Sequence, residues 1–142
     1  MREIATLKVE AALENVPLAM ECVARAAREA GVDEKTLYQV QLAVDEACAN
    51  VALHAYKGLE LGDMQVTCYL DAETLSISVR DWGKGFIPEE VPRPKIDAPL
   101  EERTLGGLGL FMIEQVMDHV RYTFDAEAGN ELFMQKRLTL AA

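Results

Sequence analysis

The chain is predicted to fold as α+β: a two-layer sandwich with helices on one face of a mixed, mainly antiparallel sheet. Three observations carry that prediction. Several segments alternate apolar and polar residues strictly, the pattern of strands with one buried and one solvated face. The helical-period segments are few and grouped, in the order β-α-α-β-β-loop-α-β-β, whereas a doubly wound parallel sheet needs them between successive strands. With 142 residues, 50% of them hydrophobic and 27% charged, the chain has the balance of a soluble globular protein. A chain of this size buries roughly two-thirds of its unfolded surface, so it needs no metal or disulfide staple. A single domain over residues 1–142 is expected.

Each element follows from its local pattern. Ala5, Leu7 and Val9 alternate with Thr6, Lys8 and Glu10, which predicts the first strand. Asn15 is expected to cap a helix carrying Pro17 in its first turn, where the missing N–H costs nothing. That helix should stop at Gly31, a residue suited to the left-handed conformation. Asp33 can cap the second helix, in which Leu37, Val40, Val44, Ala47, Cys48, Val51 and Ala55 recur at three- and four-residue steps, ending near Gly58. Two strands follow: Met64, Val66, Cys68 and Leu70 face one way in the first, and Leu75, Ile77 and Val79 do so in the second. A third helix is predicted to start near Gly106–Gly109 and to carry Phe111, Met112, Ile113, Val116 and Met117. Strands at Val120–Phe124 and Leu132–Leu140 close the chain, with Gly129-Asn130 read as their hairpin turn.

One stretch breaks the rhythm. Four of the five prolines (Pro88, Pro92, Pro94 and Pro99) fall between Asp81 and Gly106, without helical or strand period. Glycines bracket it: Gly83 and Gly85 before, Gly106, Gly107 and Gly109 after. A loop this long inside a compact domain points to a lid or binding loop, placed at about residues 87–105.

Composition narrows the classes of partner. There are 24 acidic residues against 14 basic ones, a formal net charge of −10. Such a surface repels phosphate backbones and anionic lipid, so neither a nucleic-acid nor a membrane partner is expected. Three cysteines without a Cys-x-x-Cys pair fit a reducing compartment, and all three fall in apolar patterns as small core residues. No apolar run approaches the roughly 18 residues of a membrane helix, and the charged start MREIATLKVE does not resemble a signal peptide, so a cytoplasmic location is expected.

Three short motifs carry candidate chemistry. Glu46 and Asn50 lie four residues apart on the second helix, about 40° apart around its axis, so they share a face off the apolar stripe. His54 would extend the same row by a turn. A carboxylate on the flank of a buried helix must meet solvent, a partner or a ligand, because an unpaired buried charge is expensive. Taken alone, the pair reads best as a solvated face. Asp81 shares the strand parity of Leu75, Ile77 and Val79, so its carboxylate should point inward, where it can accept a hydrogen bond from a base's amino group. Asp-Trp-Gly-Lys-Gly then turns the chain with alternate glycines, which allows close approach of a ligand, or equally a surface turn capped by its own aspartate. Trp82, beside Asp81, is expected to report a bound ligand directly. Gly106-Gly107-Leu108-Gly109 at a helix start exposes backbone N–H groups and a positive dipole end, a ready phosphate site to which Arg103 can add a charge.

In this order the three motifs resemble the N, G1 and G2 boxes of the GHKL ATPases. Within that superfamily the chain is most similar to the bacterial anti-sigma-factor serine/threonine kinases, through EACANVALHAY at Glu46–Tyr56, VRDWGKGF at Val79–Phe86 and GGLGLFMIEQVMDHV at Gly106–Val120. The resemblance covers essentially the whole chain and implies a Bergerat-type ATP-binding fold, with ATP and Mg²⁺ as cofactors. It implies that Glu46 is the general base, that Asn50 ligates Mg²⁺, and that Asp81 reads adenine above Gly83, Gly85 and Phe86. It places Gly106, Gly107, Leu108 and Gly109 at the phosphates, with Arg103 ahead of them and His54 lining the site. The implied activity is phosphorylation of an anti-sigma-factor antagonist in sigma-factor partner switching, with a sigma factor and a second copy of the chain as further partners. The alternative is a nucleotide-gated binding switch with little or no kinase activity. Four departures stand out, the first being that Arg103 lies further from Gly107 than the family's arginine does from its glycines. Met20 occupies about the position of a partner-engaging arginine, Ala55 replaces the glycine of His-Gly-Tyr, and Asn130 follows the last hairpin's glycine where relatives often have threonine.

Overall fold

The computed structural model describes residues 1–84 and 105–138, with residues 105–110 as helix backbone alone. Five strands form one sheet: β1 (Arg2–Glu10), β2 (Asp63–Leu70), β3 (Thr74–Asp81), β4 (His119–Thr123) and β5 (Asn130–Arg137). Their spatial order is β1-β2-β3-β5-β4, and all four pairings are antiparallel. Three helices, α1 (Val16–Glu29), α2 (Glu34–Asn50) and α3 (Leu105–Val116), supply the second layer, with α2 packed against both others. The predicted α+β sandwich is therefore what forms. No helix among the described residues is long and apolar enough to cross a membrane.

Helix boundaries follow local chemistry, with one correction. α1 ends in a Schellman arrangement: the Val32 N–H donates to the Ala27 carbonyl, the Gly31 N–H to that of Arg28, and Gly31 takes φ +81°. Asp33 caps α2 as expected, its Oδ1 accepting from the Thr36 N–H at 2.8 Å. Asn15 does not cap α1 with its side chain. A 3-10 turn at Leu13–Asn15 runs straight into the helix, and the Asn15 carboxamide instead donates back to the Glu10 carbonyl at 2.9 Å. Beyond Asn50 the α2 backbone continues as a π-helical turn, Val51–Ala55.

The core lies between the helices and the inner sheet face. The predicted stripe on α2 and its extension is buried throughout, and Met64, Val66, Cys68, Leu75, Ile77, Val79, Leu132 and Met134 oppose it from the strands. Cys48 and Cys68 are buried free thiols, each pushed up to about 12 by desolvation, whereas Cys22 is only half-buried. On the outer face the central strands keep small hydroxyls. Ser76 and Ser78 are roofed by β5, with Gln135 donating to Ser76 Oγ and Ser78 donating to Glu131, whose carboxylate also pairs with Arg80 at 3.2 Å. Among the described residues no buried side-chain nitrogen or oxygen lacks a partner.

Candidate functional site

The C-terminal end of β3 is where the candidate chemistry gathers. Alternation along β3 turns Asp81 inward beside Leu75, Ile77 and Val79, and its residue is 6% exposed. Antiparallel register sets Asn130, the first residue of β5, directly opposite Asp81. The Asn130 side-chain nitrogen donates to Asp81 Oδ1 at 2.9 Å and to the Gly83 carbonyl at 3.1 Å, while the Gly83 N–H donates to the same Oδ1 at 2.9 Å. Burial pushes the Asp81 carboxyl above its ordinary range, and the Asn130 and Gly83 donors oppose that by stabilising the anion. The inward carboxylate anticipated from strand parity is in place. The hairpin reading of Asn130 is not: it is 1% exposed and belongs to the site, while Asp125 Oδ1 accepts from the Glu127 and Ala128 N–H groups to make the turn. Gly129, at φ +95°, closes it.

The turn after Asp81 is bolted to the end of the α2 extension. The Lys84 N–H donates to the Ala55 carbonyl at 2.6 Å. A Cβ on Gly83 would stand 2.1 Å from that same carbonyl oxygen, so glycine is required there by the chain's own backbone. Tyr56 adds a second fastening: its hydroxyl donates to the Asp63 carbonyl at 2.6 Å and accepts from the Trp82 N–H at 2.9 Å. Trp82, one residue out of phase with Asp81, follows Arg80 to the outer side of the sheet, where Lys8 Nζ lies 4.8 Å from its ring centroid. The ring therefore does not face the side of Asp81.

Glu46 and Asn50 occupy the last turns of α2, both half-buried. Desolvation first, and the neighbouring Asp45 second, push the Glu46 carboxyl above its usual range, the direction that makes a stronger base. His54 is exposed and sits in the π-helical turn, whose wider winding breaks the ideal-helix row from Glu46 through Asn50. α3 begins with Leu105, Gly106, Gly107, Leu108 and Gly109 in its opening turns, as the glycine pattern predicts. Gly85, Phe86, Arg103 and the stretch assigned to a lid at 87–105 lie outside the described residues, Leu105 excepted.

A model of the histidine kinase-like ATPase domain matches residues 9–136. The chain belongs to the histidine kinase-like ATPase domain family. Among relatives, it is 33% identical over 129 residues to a serine-protein kinase RsbW of Listeria innocua, covering 88% of this chain and 82% of the relative. A serine-protein kinase RsbW of Oceanobacillus iheyensis is 30% identical over 119 residues, covering 81% and 75%. The crystal structure of the RsbU and RsbW domains of a Mycobacterium tuberculosis protein superposes with a TM-score of 0.68 at 19% identity, over 98% of this chain and 34% of that longer one. That last likeness concerns the fold alone.

The ATPase domain's own residues fit a magnesium nucleotide. An inward, hydrogen-bonded carboxylate at Asp81 can accept from an amino group on a base, and the first backbone N–H groups of the glycine-rich α3 are of the kind that can bind phosphate. Among the described residues no cluster of three His, Cys, Asp or Glu side chains forms a metal cage. Asn50, at the end of α2, could offer one side-chain oxygen to an ion that keeps its waters and takes phosphate oxygens. Sequence reasoning missed the Asp81–Asn130 pair and the double role of Tyr56. The one available signal was the departure at Asn130, which follows the last hairpin's glycine where relatives often have threonine.

Proposed function

We propose that the chain is an ATP-dependent protein serine/threonine kinase that phosphorylates an anti-sigma-factor antagonist, and so regulates sigma-factor partner switching in the cytoplasm. The observation that carries this reading is the Asp81 carboxylate, turned inward and held by Asn130 and Gly83, on a turn fastened to the end of the element that bears Glu46 and Asn50. On this reading, base recognition and phosphoryl chemistry share the connection between the α2 extension and the β3 turn. Resemblance to proteins named serine-protein kinases supports the reaction class. Glu46, with its raised pKa, takes the proton of the attacking serine or threonine hydroxyl. Asn50 holds Mg²⁺, Asp81 accepts from the adenine amino group above Gly83, and base-side roles for Gly85 and Phe86 follow from the resemblance alone. Gly106, Gly107, Leu108 and Gly109 hold the phosphates through the backbone at the start of α3, His54 lines the rim, and a phosphate role for Arg103 follows from the resemblance alone. Bound Mg-ATP supplies the phosphoryl group and the charge neutralisation; the protein's task is positioning. A sigma factor and a second copy of the chain complete the partners on this reading.

The test is transfer itself. Wild-type protein, Mg-ATP and a candidate antagonist are expected to yield phosphoserine or phosphothreonine on the antagonist, and Glu46→Ala is expected to abolish it. ATP binding without transfer to any such candidate would establish the nucleotide-gated switch instead. Absence of ATP binding by calorimetry would end both readings.

A further inference from the structure

We infer that Lys136 is a positioning residue for phosphate: it holds the C-terminal end of α3 against β5, and so keeps the glycine-rich start of that helix formed. The inference rests on the proposed nucleotide reading and deepens it. Strict alternation along β5 puts Leu132, Met134 and Lys136 in one row facing the core, and Lys136 stands opposite the fully buried Leu75. A lysine is the exception in such a row. It is half-buried, and its ammonium donates at 2.6 Å to the carbonyl of Val116, the last residue of α3. Lysine stems lie along apolar surface while the charged head reaches a polar partner. Here that partner is one of the carbonyls that a helix end leaves without an intrahelical donor.

Two properties of α3 make this anchor matter. Gly106, Gly107 and Gly109 fall among its 12 residues, and only proline is a poorer helix former than glycine. Its last turn holds no basic residue of its own, so the cation that complements the negative end of the helix comes from β5. Further bonds fasten the same end. The Asp118 N–H donates to the Gln135 carbonyl at 2.9 Å, and the Arg137 N–H donates to Asp118 Oδ2 at 2.6 Å. Ile113, within the last turn, is fully buried. The far end of α3 is thus fixed to sheet and core, while its first turns are weak formers. Helix formation is cooperative, so those first turns depend on the ones that follow. Base recognition does not share the dependence, because Asp81 and Asn130 pair at the opposite end of the β3–β5 ladder from Lys136.

The experiment compares the wild type with Lys136→Met, Lys136→Arg and Arg137→Gln, each checked for folding by circular dichroism. In nucleotide-free protein, hydrogen exchange followed by NMR should show the Gly106, Gly107 and Gly109 amides about tenfold faster in Lys136→Met, a larger factor than for the amides of β2. Mg-ATP affinity, by calorimetry, is expected to fall about tenfold in that variant, while adenosine affinity, by ligand-observed NMR, changes less than about twofold. Lys136→Arg keeps a charged donor and should stay close to the wild type in all three readouts. Arg137→Gln removes the same charge from the next residue, which is exposed, and should also leave them unmoved. If Lys136→Met does not fold, Lys136→Gln, a shorter neutral donor, is read in the same way. An ATP-to-adenosine affinity ratio that stays at the wild-type value in a less stable variant would overturn the inference while leaving the ATP site standing. So would unchanged exchange at the three glycines, or an equal loss of ATP affinity in Arg137→Gln. A wild type that binds neither ATP nor adenosine would instead remove the reading on which the inference rests, and the inference with it.

Discussion

Asp81 and Glu46 are both carboxyls pushed above their ordinary range, yet by different surroundings and with different consequences. At Asp81 burial dominates and two donors restrain it; at Glu46 partial burial is reinforced by Asp45. For Glu46 the folded chain holds its proton at pH values where an unfolded glutamate has released it. The folded state thus binds more protons in that window, and stability falls as pH rises through it. Above the window the ionised, partly desolvated carboxylate is a standing cost. Glu46→Gln is therefore expected to unfold at or above the wild-type Tm at neutral pH, by calorimetric scan, while losing phosphoryl transfer; a clear drop in Tm would contradict this account. The acid limb of the wild-type rate profile should likewise lie above that of an ordinary glutamate near 4.5. That Asp81 faces inward was legible from its parity with Ile77 and Val79. Its partner was not, since Asn130 lies 49 residues away and the two meet through sheet register alone.

At the scale of elements, the decisive join is between the α2 extension and the turn after β3. Gly83 was readable as a place of close approach, but what approaches is the Ala55 carbonyl. Gly83→Ala must push that contact apart and with it the Lys84–Ala55 hydrogen bond, at a cost of about 1–3 kcal/mol in urea unfolding. Tyr56→Phe removes the hydroxyl that joins Asp63 to Trp82, and about 1 kcal/mol is expected to go with it. A Gly83→Ala protein of unchanged urea midpoint would show that the turn is free to shift. The stop of α1 at Gly31 and the Asp33 cap were legible because capping is local. The π-helical turn at Val51–Ala55 was not, for the apolar spacing there also suits a regular helix. It forms where the chain must deliver Ala55 and Tyr56 to the β3 turn.

For the molecule as a whole, a net charge of −10 surrounds a site proposed for a polyanion, so attraction has to be local. The glycine-rich start of α3, Asn50 with its proposed metal, and Lys84 are the places where it can arise. Because Asp81, Asn130 and the end of the α2 extension are joined to one another, a nucleotide bound there should stabilise sheet and helix layer together. Mg-ATP at 100 times its Kd is expected to add about 2.7 kcal/mol, seen as one unfolding transition shifted by several degrees. Asp81→Asn should lose most of that shift, and a transition that split in two would show the layers to be uncoupled. By itself the amino-acid sequence determined the class of fold, the helix stops, the inward carboxylate and the ordered motifs of an ATPase domain. The first three are properties of neighbours along the chain, written in periods of two and 3.6 residues and in glycine positions, while the motifs are known by their resemblance to the family's. Only the tertiary structure decided that Asn130 holds Asp81, that Gly83 makes room for Ala55, and that Trp82 turns away. Each of those depends on how one strand registers against another, or on where a helix ends above a sheet. No local period encodes such a distance.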